Sequence, residues 1–232
     1  DRGPVSDYRD KAHIKSYARR AVRMSDHQRR SYERLSGSYC IPRADHPVNP
    51  HSLFPVRRER LVVEIGFGMG AATAELASAQ GHTNFLGIEV YKAGVGKLLS
   101  LIEERRLDNV RIIPADAITV MEEMIPLQSL DGIHLFFPDP WPKKRHHKRR
   151  IIRPELTIVF ADRLKPGGYF YMVTDWQEYA HHALEVLEAT PGLRNRYRGF
   201  ADPVPWRPTT AFEAKAGRDG RAIRELFFVR DP

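Results

Sequence analysis

The chain has a single cysteine, Cys40, among 232 residues. An intramolecular disulfide is therefore excluded, and the composition suits a reducing compartment such as the cytoplasm. Cys40 itself reads as a small loop or buried residue. No apolar run approaches the roughly 20 residues needed to cross a bilayer, so a membrane partner is not expected. No internal repeat or low-complexity tract stands out. His146 and His147 have no cysteine or acid nearby at ligand spacing, so no metal site is expected. Acidic residues are in the minority, 29 against 37 Lys and Arg, which leaves a net charge of +8. A basic balance favours a polyanionic partner through attraction to phosphates. The first residue is Asp1 rather than Met, which leaves a removed targeting segment open.

Within that frame the chain divides at about residue 56. Residues 1–56 read as a basic arm and lead-in loop, partly flexible. Arg19, Arg20, Arg23, Arg29 and Arg30 crowd a stretch without a clean apolar stripe, and Pro42, Pro47, Pro50 and Pro55 mark the lead-in. Residues 57–232 read as one α/β domain. Strands are expected at 61–65, 84–90, 110–115, 132–137 and 168–174, with helices at 71–80, 91–106, 117–124, 154–164 and 176–189. Short apolar strands alternating with helical stretches indicate βαβ units around a buried parallel sheet. Lys165-Pro166-Gly167-Gly168 reads as a helix stop before a strand. Residues 225–230 read as a last strand.

Glu64-Ile65-Gly66-Phe67-Gly68-Met69-Gly70 sits where the first strand turns into a helix. Alternate glycines at such a turn remove the Cβ atoms that would block a ligand and offer N–H groups at a helix N-terminus. Glu64 before the first glycine repels a pyrophosphate and attracts an amine or sulfonium. The simplest ligand that fits is S-adenosylmethionine. The same turn also satisfies the dinucleotide pattern, so a nicotinamide-dependent oxidoreductase is the rival from another class. A noncatalytic RNA-binding module is a second rival, and a methyltransferase acting on another RNA is a third within the same chemistry.

Ligands of open α/β sheets bind beyond the carboxyl ends of the strands, and acids recur there. Glu89 closes the second strand about 20 residues past the turn, where a carboxylate can hold a ribose diol. Asp116 follows the third strand and reads either as an adenine contact or as a helix N-cap. Asp139 follows the fourth, inside Phe137-Pro138-Asp139-Pro140-Trp141-Pro142, a segment stiffened by three prolines. Next comes Lys143-Lys144-Arg145-His146-His147-Lys148-Arg149-Arg150, six of eight of them cationic. Beside a reacting centre this run reads as contact with a nucleic-acid backbone, with Arg145, Lys148, Arg149 and Arg150 as the RNA-binding candidates.

Together these motifs resemble the tRNA (guanine-N7)-methyltransferase family. The resemblance covers most of the chain and includes Ile14 to Arg30, Val173-Thr174-Asp175-Trp176 and Arg207-Pro208-Thr209-Thr210-Ala211-Phe212-Glu213. It implies a class I methyltransferase fold, Rossmann-like, with a mostly parallel sheet, helices on both faces and an antiparallel C-terminal strand. It implies S-adenosylmethionine held by Glu64, Gly66, Gly68, Gly70, Glu89, Asp116 and Asp139. It implies substrate contacts from Lys143, Asp175, Thr210 and Glu213, and a target guanosine in the tRNA variable loop. The protein is expected as a monomer or homodimer. Lys215 replaces an Arg and Arg221 a His that are usual in the family, and Lys loses the bidentate fork of Arg.

The residues suggest a mechanism for that reaction. Guanine N7 carries a free lone pair, so alignment rather than a general base should drive transfer. Asp139 is the catalytic candidate, as the carboxylate nearest the cationic product ring. Asp175 and Glu213 can accept from N1–H and the N2 amino group of guanine, and Lys143 can bond O6 or a phosphate. Trp141 or Tyr91 reads either as a stacking platform for an extruded base or as a packing residue.

Overall fold

The computed structural model describes residues 14–17, 23–209 and 211–232, side chains of 211 and 212 excepted. A seven-stranded sheet in the order β3-β2-β1-β4-β5-β7-β6 forms its centre. The strands are β1 Arg60–Ile65, β2 Thr83–Ile88, β3 Val110–Ile113, β4 Leu130–Phe136, β5 Leu164–Thr174, β6 Leu193–Asn195 and β7 Arg224–Arg230. The β1–β2, β1–β4, β2–β3 and β4–β5 pairs are parallel, whereas β7 runs antiparallel to both β5 and β6. The helices are α1 Asp26–Tyr39, α2 Ala71–Ala79, α3 Lys92–Glu104, α4 Ala117–Thr119, α5 Pro154–Arg163, α6 Gln177–Glu188 and α7 Ala211–Arg218.

The central strands are buried on both faces because helices cover both. All of β2 is buried, which is why it reads as a continuous apolar run rather than an alternating one. Burying each of Phe85, Leu86 and Ile88 contributes roughly 1.5–3 kcal/mol. On one face Ile133 and Phe170 pack with Leu156 and Phe160 of α5 and Tyr179 and Leu187 of α6. On the other, Val62, Phe85 and Ile112 pack with Ala74 of α2 and Leu98 and Ile102 of α3. Chain order reverses between β1 and β4, so the carboxyl ends of those strands flank a topological switch point, where such folds open a crevice.

Two glycines set how closely α3 can approach. A Cβ on Gly94 would stand 1.9 Å from the Gly68 carbonyl oxygen, and one on Gly96 2.7 Å from the Gln28 carbonyl oxygen. The first contact draws the start of α3 onto the glycine turn. The second seats α1 on α3.

That seating corrects the sequence reading of residues 26–56. The solvated arm gives way at Asp26 to a fourteen-residue helix with a full capping box, the Ser25 hydroxyl accepting from Gln28 N–H and the Gln28 amide oxygen from Ser25 N–H. Tyr32, Leu35 and Tyr39 face the core, a narrow stripe at helical spacing that surrounding charges obscure. Arg34 and Glu103 link α1 to α3. The lead-in also holds to the domain: Ile41 N–H donates to the Ile112 carbonyl and Val48 N–H to that of Met124. Arg19 and Arg20 lie outside the described residues.

Other boundaries shift for local reasons. β5 begins at Leu164 and carries Pro166 and Gly167 within it, a register shift opposite Leu130 and Gly132 absorbing them. The 117–124 helix passes after one turn into a π-helical turn, Val120–Met124. β6 and α7 had no separate sequence signal. None of the described helices is long and apolar enough to cross a membrane.

Candidate active site

A cavity opens at the switch point. Ile65, Ile88, Ile118 and Leu135 give it apolar walls, and Glu89, Asp116 and Asp139 bring carboxylates to it. Gly66 and Gly68 form its floor, with φ of 68° and 63°. Only glycine adopts such angles freely, and a Cβ at either would project into open space, so the turn exposes bare backbone to whatever fills the cavity. Gly70, at φ 81°, lies behind this floor, where a Cβ would press on Leu98 at 2.7 Å.

The sequence reading took the N–H groups of the turn as free, but those of its three glycines are bonded. Gly66 N–H donates to the Ile88 carbonyl (2.8 Å) and Gly70 N–H to that of Phe67 (3.0 Å). Gly68 N–H donates to Glu89 Oε2 at 2.9 Å, while Glu89 Oε1 accepts from Val90 (3.0 Å) and Tyr91 (3.3 Å). The place where a dinucleotide-binding turn would offer an N–H to pyrophosphate therefore holds a carboxylate. Burial pushes the Glu89 carboxyl up and nearby Asp139 adds to that, against the pull of the three N–H donors.

Glu64 does not line the cavity. It is buried under the glycine turn and accepts the Thr73 hydroxyl. Burial pushes its carboxyl up to about 7, with the Thr73 bond opposing and Glu89 adding. Asp116 combines both readings: its Oδ1 accepts from Ile118 N–H at 2.9 Å as the cap of α4, and the residue lines the cavity. The carboxylates ringing an apolar slot repel phosphate and suit a diol, an amine and a sulfonium, so the residues fit S-adenosylmethionine.

Asp139 stands on the loop after β4. Phe137 and Trp141, which flank it, have φ of 50° and 44°. Left-handed backbone at non-glycine residues costs on the order of 1–3 kcal/mol each and persists where the surroundings enforce it. The Trp141 indole N–H donates to the Ser16 carbonyl at 2.9 Å, and Arg149 lies 4.9 Å over the ring. Trp141 is thus engaged in packing. Tyr91 lines the cavity and meets Tyr17 edge to face at 6.2 Å.

The basic run continues from this loop as a 3₁₀ helix, Lys144–Arg149. Lys143, Lys144, Arg145, Lys148 and Arg149 are exposed. Partial burial and the charges of Arg145, Arg149, Lys143 and Lys148 hold His146 below its ordinary pKa. Arg150 contradicts the sequence expectation of an RNA contact. It is fully buried, its Nε donating to the Pro140 carbonyl at 2.8 Å and its Nη atoms to Glu178. A guanidinium enclosed in this way does not reach a phosphate.

The two remaining acids expected at the substrate are both ion-paired. Asp175, at the end of β5, meets Arg221 at 3.2 Å. Glu213 on α7 receives both Nη groups of Arg207, at 2.7 and 2.8 Å. Arg207 Nε also donates to the Tyr171 hydroxyl at 3.0 Å and lies 3.5 Å from Glu225, which in turn accepts that hydroxyl. Thr210 lies outside the described residues.

A family model described as "Putative methyltransferase" matches residues 58–226. A tRNA (guanine-N(7)-)-methyltransferase of Paraburkholderia xenovorans is 46% identical, the match covering 98% of this chain and 87% of that protein. One of the same description from Treponema pallidum is also 46% identical, over 94% of this chain and 96% of that one. The chain belongs to the tRNA (guanine-N7)-methyltransferase family. It is a methyltransferase. Among solved structures, the 16S rRNA methyltransferase KamB superposes with a TM-score of 0.54 at 14% identity, covering 92% of this chain and 97% of that one. A SAM-dependent O-methyltransferase of Thermotoga maritima gives 0.51 at 20%, covering 78% and 63%. These two support the class I methyltransferase fold.

Arg221 is the partner of Asp175 and also reaches Asp219 at 3.4 Å. Lys215 is exposed on the last turn of α7. Ser16 and Tyr17 line the cavity although no turn or strand signal placed them there. Tyr17, an aromatic within a basic stretch, was the one available hint.

Proposed function

We propose that this protein transfers a methyl group from S-adenosylmethionine to N7 of a guanosine in the variable loop of tRNA, giving 7-methylguanosine. The observation that carries the reading is the juxtaposition of a carboxylate-ringed cavity at the switch point with five exposed cations on the adjoining loop. S-adenosylmethionine supplies an electrophilic methyl group: the N7 lone pair forms the new C–N bond as the S–C bond breaks and its electrons remain on sulfur.

Glu89 holds the ribose diol by accepting from its hydroxyls, and Asp116 borders the adenine. Gly66 and Gly68 let the cofactor lie against bare backbone, and Gly70 sets the turn. Glu64 acts from beneath the glycine turn, where a bound cation would favour its ionised form. Asp139 offsets the positive charge that the purine acquires. Because N7 needs no deprotonation, the remaining work is alignment of two reactants, which can supply a large part of the rate enhancement.

Lys143, Arg145, Lys148 and Arg149 bind the RNA backbone, and Asp175 and Glu213 are the acids that would read the guanine edge. The N7 edge lies in the deep, narrow groove of an RNA helix, so the base is taken unpaired or extruded. The setting is the cytoplasm, where the tRNA partner is found.

A transcript carrying 7-deazaguanosine in place of guanosine tests the reading. The unsubstituted transcript accepts label from methyl-labelled S-adenosylmethionine, and the substituted one, lacking the nucleophilic nitrogen, accepts none. Equal labelling of both would refute N7 as the acceptor.

A further inference from the structure

The loop that carries Asp139 has few backbone donors of its own and is held partly by side chains, among them the Trp141 indole bonded to the Ser16 carbonyl. Pro138, Pro140 and Pro142 contribute no N–H, and both flanking aromatics lie in left-handed backbone. Its stem is tied to the sheet where Phe137 N–H donates to the Val173 carbonyl at 2.8 Å. Beyond that stem an arginine reaches in from the far end of the basic run. Arg150 Nε donates to the Pro140 carbonyl at 2.8 Å, and its Nη1 donates to Glu178 Oε1 at 3.1 Å while Nη2 bonds Oε2. Its guanidinium lies 4.7 Å over the Tyr179 ring. Of the six cations in the run, Arg150 alone is buried.

Glu178 stands in the first turn of α6, three residues past Asp175. One guanidinium therefore joins the loop after β4 to the corner after β5. These are the two places from which Asp139 and Asp175 approach the reactants.

We infer that Arg150 and Glu178 form a latch that fixes the Asp139 loop against the Asp175 corner, making both positioning residues for methyl transfer. This rests on the methyltransferase reading of the cavity. The latch touches neither cofactor nor RNA. It acts through the Pro140 carbonyl, next in the chain to Asp139. Its geometry uses the planar fork of arginine, which donates in two directions while stacking on a ring, and a lysine cannot reproduce it. A displacement of about 1 Å at a reacting centre can cost on the order of 100-fold in rate.

The test compares Glu178→Ala, Glu178→Gln and Arg150→Lys in the full-length protein. It measures kcat with tRNA, the Kd for S-adenosylmethionine and the salt dependence of tRNA binding. It also records ¹⁹F NMR of protein labelled with 5-fluorotryptophan, the Trp141 signal being assigned with Trp141→Phe. Glu178 is half exposed, so its substitutions leave the core intact. The latch predicts a kcat lower by about 10- to 100-fold in Glu178→Ala and Arg150→Lys, with a smaller loss in Glu178→Gln. It predicts Kd and salt slope within about twofold of the parent and a displaced Trp141 resonance in each variant. Full kcat in Glu178→Ala overturns it, as does full activity in Arg150→Lys, which a phosphate contact would tolerate. An unmoved Trp141 resonance also overturns it. If the parent protein makes no 7-methylguanosine, the functional reading fails, while the Trp141 resonance still reports on the latch.

Discussion

Replacing Glu64 with Gln should stabilise the ligand-free protein more at alkaline than at acid pH. Burial holds the Glu64 carboxyl at about 7 against 4.5 in its ordinary state. Between those values the native protein keeps a proton that the unfolded chain has lost. Stability therefore falls as pH rises through this window. At pH 5 about three-quarters of the unfolded chains are ionised at this carboxyl, but the resulting loss of stability is still under about 1 kcal/mol. At pH 8 the native state carries a buried anion, and the shift approaches its full effect of about 3 kcal/mol at 1.36 kcal/mol per unit. The gap between Glu64→Gln and the parent should thus move by roughly 2–3 kcal/mol in favour of the variant from pH 5 to pH 8. Comparing the two pH values removes any constant cost of an imperfectly bonded amide. Urea unfolding without ligand at both pH values provides the measurement. A gap that stays constant to within about 0.5 kcal/mol would show that Glu64 is not a buried, proton-holding acid. The same substitution should weaken S-adenosylmethionine binding. One residue would then lower apo stability while supporting the ligand.

Other outcomes follow from the same geometry. Asp139→Ala should lower methyl transfer by roughly 100-fold or more, as expected when a group that stabilises developing charge is removed, and unchanged turnover would remove it from the mechanism. Glu89→Ala should weaken S-adenosylmethionine binding by about 1.5–3 kcal/mol in a calorimetric titration, the range for bonds to a charged group; an unaltered Kd would place the ribose elsewhere. Arg207→Ala should destabilise the fold by about 3–5 kcal/mol in urea, because the buried Glu225 and the half-buried Glu213 would lose their guanidinium; a loss under 1 kcal/mol would contradict that network. Arg149→Ala should reduce the slope of log tRNA affinity against log salt by about one, and an unchanged slope would exclude a phosphate contact.

The first five strands and the last were legible because they are short and rich in apolar residues, and most of the helices between them start and stop at ordinary signals. The second strand, read at 84–90 and found at Thr83–Ile88, could be recognised without knowing its neighbours. α1 was not legible in the same way. Its core-facing stripe is three residues wide, Tyr32, Leu35 and Tyr39, set among arginines and glutamates. A charge count alone cannot separate a solvated arm from a helix seated against a glycine of another helix.

The site was legible as a set of places rather than as a set of bonds. The rule that ligands gather at strand ends put Glu89, Asp116 and Asp139 at one cavity. It could not reveal that Glu89 folds back onto Gly68 N–H, or that Glu64 turns beneath the floor toward Thr73. Nor could six cations in a row disclose which one was enclosed. Arg150 is distinguished by Glu178 and Tyr179, which lie 28 and 29 residues on and meet it only through the packing of α6.

The most direct measurement incubates the protein with bulk tRNA and methyl-labelled S-adenosylmethionine, digests the RNA and identifies the labelled nucleoside. The account predicts label in 7-methylguanosine alone. Label in another nucleoside, or none with the protein folded and the donor bound, would contradict it.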